Sequence, residues 1–138
     1  MPEFWPVFEH HDAEIIGDEY LDLAIFIGDP FDHLLREAGF KPVTDHVGLT
    51  AEMNDILNEN MPADMHQPWT EEMMNWAAPE VGRAMWTTLR RATEEQPDLF
   101  QLWPDMIEHV SDTLEIADLV FERAVQHQAR WFIPSPGF

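Results

Sequence analysis

Apolar positions along the chain recur at helical spacing, most regularly towards its end. Ile107, Val110, Leu114, Ala117, Phe121, Ala124, Gln128 and Trp131 follow one another at steps of three and four, so they share one seam of a helix predicted from Pro104 to about Phe132. Such a helix packs lengthwise against its neighbours. The tail from Ile133 to Phe138 cannot continue it, because Pro134 and Pro136 lack donors and hold the chain extended.

Earlier segments read as shorter helices with punctuation between them. Asp29 is placed to cap a helix opening at Pro30, with Leu34, Leu35 and Ala38 on its inner face and Gly39 as its stop. Thr50 caps a helix to Asn60, with Met53, Ile56 and Leu57 together on one face and Pro62 beyond its end. Met61 to Trp69 reads as a loop. Thr70, Glu71 and Glu72 start a further helix that Pro79 interrupts or restarts, and Val81, Met85 and Leu89 carry its apolar stripe to about Thr93. Tyr20 to Ile27 fits either a buried strand or a short helix, with the balance towards helix. Met1 to Asp12, with Pro2, Pro6 and the rings of Phe4, Trp5 and Phe8, suits an extended arm. The pattern predicts a mainly α, compact helical bundle over residues 1–138 as a single domain, with a short N-terminal arm or strand.

A chain of 138 residues is long enough to bury one core, and six Trp with nine Phe provide for it despite the heavy charge. The absence of Cys excludes disulfides, thiolate nucleophiles and cysteine-based metal sites, and suits a reducing compartment. The N-terminus carries Glu3 and Glu9 where a secretory signal needs positive charge. The longest wholly apolar run, Leu23 to Ile27, is far too short to span a bilayer. A cytoplasmic location is expected.

Charge changes the picture most. The formal net charge is −20, with 27 acidic residues against six Arg and the single Lys41. Such a field repels nucleic acid and anionic membrane surfaces and attracts cationic partners. On the last helix Asp105, Glu108, Asp112, Glu115 and Glu122 fall within about a third of the circumference, opposite the apolar seam. Neighbours along this row rise about 5 Å, comparable to the phosphate spacing of a nucleic-acid strand. A solvated helix face has the same pattern. Ile116 and Leu119 point towards the acidic side, either covered by a segment such as the arm or serving as apolar anchors inside a charged rim. Met1 to Ala38 adds ten acids against Arg36 alone, whereas Trp69 to Pro97 nearly balances five Glu with three Arg.

Chemistry has fewer handles. Glu9, His10, His11, Asp12 and Glu14 crowd possible metal ligands together, but adjacent His10 and His11 point apart in helix or strand. His109 and His127 share a helix face about 27 Å apart by rise. No phosphate loop, dinucleotide fingerprint or nucleophile elbow is present. Met61, Met65, Met73 and Met74 gather around Trp69 and Trp76, a combination that reads as core or as an adaptable contact surface.

In composition the chain is similar to toxin-immunity proteins and phage-encoded nucleic-acid mimics, including some anti-CRISPR and antirestriction proteins. No family motif accompanies that likeness, so no residue roles carry over from it. The expectation is a non-enzymatic inhibitor without cofactor or metal, which occludes a basic surface of a nucleic-acid-binding protein or nuclease and binds neither nucleic acid nor membrane itself. Its partner-binding residues are Asp105, Glu108, Asp112, Glu115, Ile116, Leu119 and Glu122. The alternatives are a small metal-dependent enzyme built on His10, His11 and Asp12, and a salt-adapted structural protein.

Overall fold

Two long helices, α4 (Pro79–Glu95) and α5 (Pro104–His127), lie against one another and carry nearly half of the buried apolar residues. They belong to a computed structural model that describes residues 4–10, 12–96, 98 and 104–134. The protein is a compact single domain, mainly α, with 63% of the described residues helical and a small three-stranded sheet. In chain order the elements before α4 are β1 (Val7–Phe8), α1 (Asp12–Ile16), α2 (Phe31–Glu37), β2 (Val47–Gly48) and α3 (Ala51–Glu59); β3 (Trp131–Pro134) follows α5. Short 3-10 turns at Leu23–Phe26, Val43–His46, Ala63–Met65 and Glu71–Met74 join them.

The seam on α5 forms as the spacing predicts: Val110, Leu114, Ala117, Phe121 and Ala124 are fully buried or nearly so. From α4, Met85, Trp86 and Leu89 meet it. Phe121 packs edge-on to Trp86 at 5.5 Å and to Trp131 at 5.0 Å, while Phe26 approaches Trp86 at 5.5 Å. Aromatic side chains buried in this way contribute on the order of 2–3 kcal/mol each by removal from water, plus ring-pair terms. Gly82 lets α4 approach so closely, because a Cβ there would stand 2.2 Å from a ring carbon of Phe121.

The seam does not extend to Gln128 and Trp131. Gln128 takes the left-handed conformation (φ 52°), its N–H reaches the Val125 carbonyl, and the Ala129 N–H reaches back to Ala124 at 3.0 Å. This pair of bonds closes the helix in a Schellman cap. The chain then reverses into β3, whose Trp131, Phe132 and Ile133 are all buried. β3 is the central strand, antiparallel to β1 with Val7 opposite Phe132, and parallel to β2 with Val47 opposite Ile133. The expected arm is therefore a sheet edge from Val7, and residues 135–138 lie outside the described part.

Other boundaries shift for local reasons. Pro30, not Asp29, is the N-cap of α2, without a side-chain cap bond, and Phe31 and Leu35 supply its buried face while Ala38 is exposed. Gly39 ends α2 as expected, at φ 90° with the Phe40 N–H bonded to Leu35. Within residues 20–27 only Leu23–Phe26 is helical, and as a 3-10 turn capped by Asp22, whose carboxylate accepts from Ala24 and from Phe4 of the arm. Thr50 caps α3 through Met53. Thr70 starts only one 3-10 turn, ended by Asn75 in the left-handed region, and Pro79 opens α4 afresh with Val81 on its exposed side.

Candidate functional site

Asp105, Glu108, Asp112, Glu115 and Glu122 are all exposed on α5. The row spans about 25 Å by helical rise. None of the five carboxylates forms an ion pair or side-chain hydrogen bond among the described residues. Their neighbour Asp118 behaves differently. It bridges to Arg90 of α4 at 2.6 Å, and burial, outweighing the attraction of Arg90 and Arg83, holds its carboxyl above the usual range. Asp118 thus belongs to the α4–α5 contact, and the free row begins beyond it.

The two apolar residues on that side separate. Ile116 is partly buried against the core, whereas Leu119 stays 39% exposed, one turn from Glu115 and three residues before Glu122. Arg123, also on α5, turns towards α1 and donates to the Ile15 carbonyl at 3.2 Å. With Arg90 held by Asp118 and Arg130 forming a two-bond pair with Glu9, three of the seven cations are turned to internal partners.

A second exposed region includes residues whose pattern reads as core or as an adaptable contact surface. Met61 and Met65 are 40% and 53% exposed, and Ile56 and Leu57 of α3 also face outward. The reason is that α3 turns its amides inward. Asn54 is buried and, with Asn58, donates to the Gln67 carbonyl, while Asn58 accepts from the Gln67 N–H. Trp69 and Trp76 are half-buried, Trp69 through its bond to the Leu49 carbonyl and Trp76 against Phe132 with the Arg130 guanidinium above it. Glu52, Asp55, Glu59 and Asp64 are exposed in the same segment, and no Lys or Arg occurs between residues 42 and 82.

The histidine segment does not converge on one point. His10 is exposed in a left-handed turn, and Asp12 is engaged in accepting the Phe8 N–H at 2.9 Å. His11 lies outside the described residues. Among the described residues no group of three His, Asp or Glu is placed to hold a metal ion. No helix among them is long and apolar enough to cross a membrane.

The arm contributes a feature that the sequence reading passed over. Phe4, Pro6 and Phe8 turn inward while Trp5 turns out, 46% exposed, to meet Tyr20 edge-on at 5.6 Å. The alternation along an extended segment was the available signal, since successive side chains point to opposite sides. Compared with protein-family models, curated proteins and solved structures, the chain matches none.

Proposed function

We propose that this protein is a non-enzymatic binder that covers a basic surface of another protein, of the kind that otherwise holds nucleic acid. The observation that supports this reading is the row on α5: five exposed carboxylates without partners among the described residues, with Leu119 exposed among them. Carboxylates already paired to their own Arg would have little to offer a partner, and those of the row are free to accept from Arg and Lys. The net charge of −20 adds long-range steering, which raises the association rate more than it raises affinity. Occlusion then needs no chemistry. Nucleic-acid mimics and immunity proteins work on this principle, and the reading extends to this chain by charge and geometry.

Affinity capture from the source cells, followed by binding kinetics with the captured protein, tests it. The expected partner is basic, loses its own nucleic-acid binding in proportion to occupancy, and associates more slowly as salt rises. A neutral or acidic partner, or an association rate indifferent to salt, contradicts the reading. Salt adaptation predicts instead that the isolated protein unfolds unless salt is near molar, so a cooperative melt in dilute buffer separates the two.

A further inference from the structure

Trp5 and Tyr20 stand over a cavity of about 220 Å³ that is also lined by Asp12, Glu19, Ile16 and Leu21. We propose that this cavity receives the guanidinium of a single arginine side chain presented by the basic partner. The inference deepens the reading above and rests on it for the source of the arginine.

Four features of the cavity select that ligand. Its volume is below the roughly 300–1,000 Å³ of sites for drug-sized molecules, which suits one side chain. Its apolar base, from Ile16 and the buried Leu21, accepts an aliphatic stem. The rings of Trp5 and Tyr20 meet at 78°, and with Trp5 46% and Tyr20 64% exposed, both keep uncovered aromatic surface of the kind that attracts a flat cation. The rim then supplies acceptors: Asp12 spends one oxygen on the Phe8 N–H, and Glu19 has no side-chain partner among the described residues. Guanidinium is planar, stacks on aromatic faces and donates in a fork to carboxylates, whereas an ammonium only supplies point charge.

The electrostatic surroundings agree. No Lys or Arg occurs in residues 1–35, and Arg123, the cation that α5 directs towards α1, is occupied at the Ile15 carbonyl and is not part of the lining. Exposed Trp and Tyr around an Arg is also the residue chemistry that dominates binding energy at protein interfaces.

The test uses the whole protein and three capped amino acids, N-acetyl-arginine amide, its neutral isostere N-acetyl-citrulline amide and N-acetyl-lysine amide, titrated by NMR with the Trp5 indole N–H and the Glu19 and Tyr20 amides as reporters. The arginine derivative is expected to shift these signals with a dissociation constant on the order of millimolar, as befits a fragment. Citrulline should bind at least fivefold more weakly, and N-acetyl-lysine amide should fall between them. Glu19→Gln and, separately, Tyr20→Ala should each weaken arginine binding severalfold while the amide spectrum of the core stays unchanged; Glu19 is half-buried, and its near-isosteric change to Gln keeps the test valid if Tyr20→Ala disturbs the arm. Equal binding of citrulline, no shift at the reporters by tens of millimolar, or shifts confined to α5 each overturn the proposal. Failure here leaves the occlusion reading to its own test with the captured partner, and a pocket that binds arginine while the captured partner proves acidic would remove the occlusion reading and the basic partner as source of the arginine, while the arginine site itself stands.

Discussion

His46 lies flat against Trp131, ring centroids 4.8 Å apart and planes within 25°, so a buried imidazole joins the turn before β2 to the central strand. Burial pushes the His46 pKa below its usual value of 6.5, Lys41 nearby pushes the same way, and Asp45 opposes them. The unfolded chain then binds a proton more readily than the folded one. Stability contributed by neutral His46 is complete above the usual value and is lost as pH falls through and below it. Urea midpoints measured near neutrality and at about pH 5.5 should therefore differ more for the natural protein than for His46→Phe, which keeps the stack without titrating. Equal differences would assign the acid sensitivity to other groups.

Glu9 and Arg130 tie β1 to the turn ahead of β3. The Arg130 side chain donates through Nε and Nη2 to the two carboxylate oxygens, and the Glu9 N–H bonds the Arg130 carbonyl at 2.9 Å. The side-chain bonds from Arg130 hold the Glu9 carboxyl below its usual range, so its contribution is present near neutrality and lost as the carboxyl protonates at acid pH. Since the guanidinium is 46% exposed, solvent screens the pair, and Glu9→Gln should cost no more than about 1 kcal/mol in denaturant unfolding. A much larger loss would show that the pair determines the register of β1.

Gly82 is the tightest point between α4 and α5. Alanine ordinarily stabilises a helix interior by about 0.5–1 kcal/mol relative to glycine. Here its methyl group would meet Phe121 at 2.2 Å, and Phe121 is itself wedged between Trp86 and Trp131. Gly82→Ala should therefore destabilise by about 1–3 kcal/mol, the usual cost of overpacking. Thermal melts decide it, and a gain in stability would mean that the ring moves aside freely.

The elements legible in the sequence are those whose signals are local. The α5 seam from Val110 to Ala124, the Thr50 cap and the Gly39 stop follow from periodicity and backbone chemistry alone. Errors arose where tertiary partners choose between local alternatives. Trp131 continues the helical spacing, but Gln128 adopts the left-handed cap that glycine usually fills, and the apolar run after it has a sheet to join. Ile56 and Leu57 fit an inner face until Asn54 and Asn58 grip the Gln67 carbonyl and rotate α3 the other way. Of the candidate site, the exposure of the carboxylate row followed from its position opposite the seam, while the separate fates of Ile116 and Leu119 depended on what packs beside each.

Leu119 offers a test of the row that changes no charge. Leu119→Gln preserves helix propensity, so stability should shift by no more than about 0.5 kcal/mol, as for other surface positions. If Leu119 is an apolar anchor within the rim, partner affinity should fall about fivefold or more, the threshold of about 1 kcal/mol that marks contributing interface residues. Unchanged affinity would confine the contact to the carboxylates or place it elsewhere.

The most direct measurement compares two triple reversals by calorimetry against the captured partner. Glu108, Asp112 and Glu115 are changed together to Lys in one variant, and Glu71, Glu72 and Glu80 in the other. Both sets are exposed, and each reversal set moves the net charge from −20 to −14, so bulk electrostatics alone would weaken the two variants alike. The α5 variant is expected to lose binding severely with helix content nearly unchanged, because its side chains face away from the seam, and the second variant to lose much less. Equal losses would mean that only the total field matters, and full affinity in the α5 variant would contradict the occlusion account at its centre.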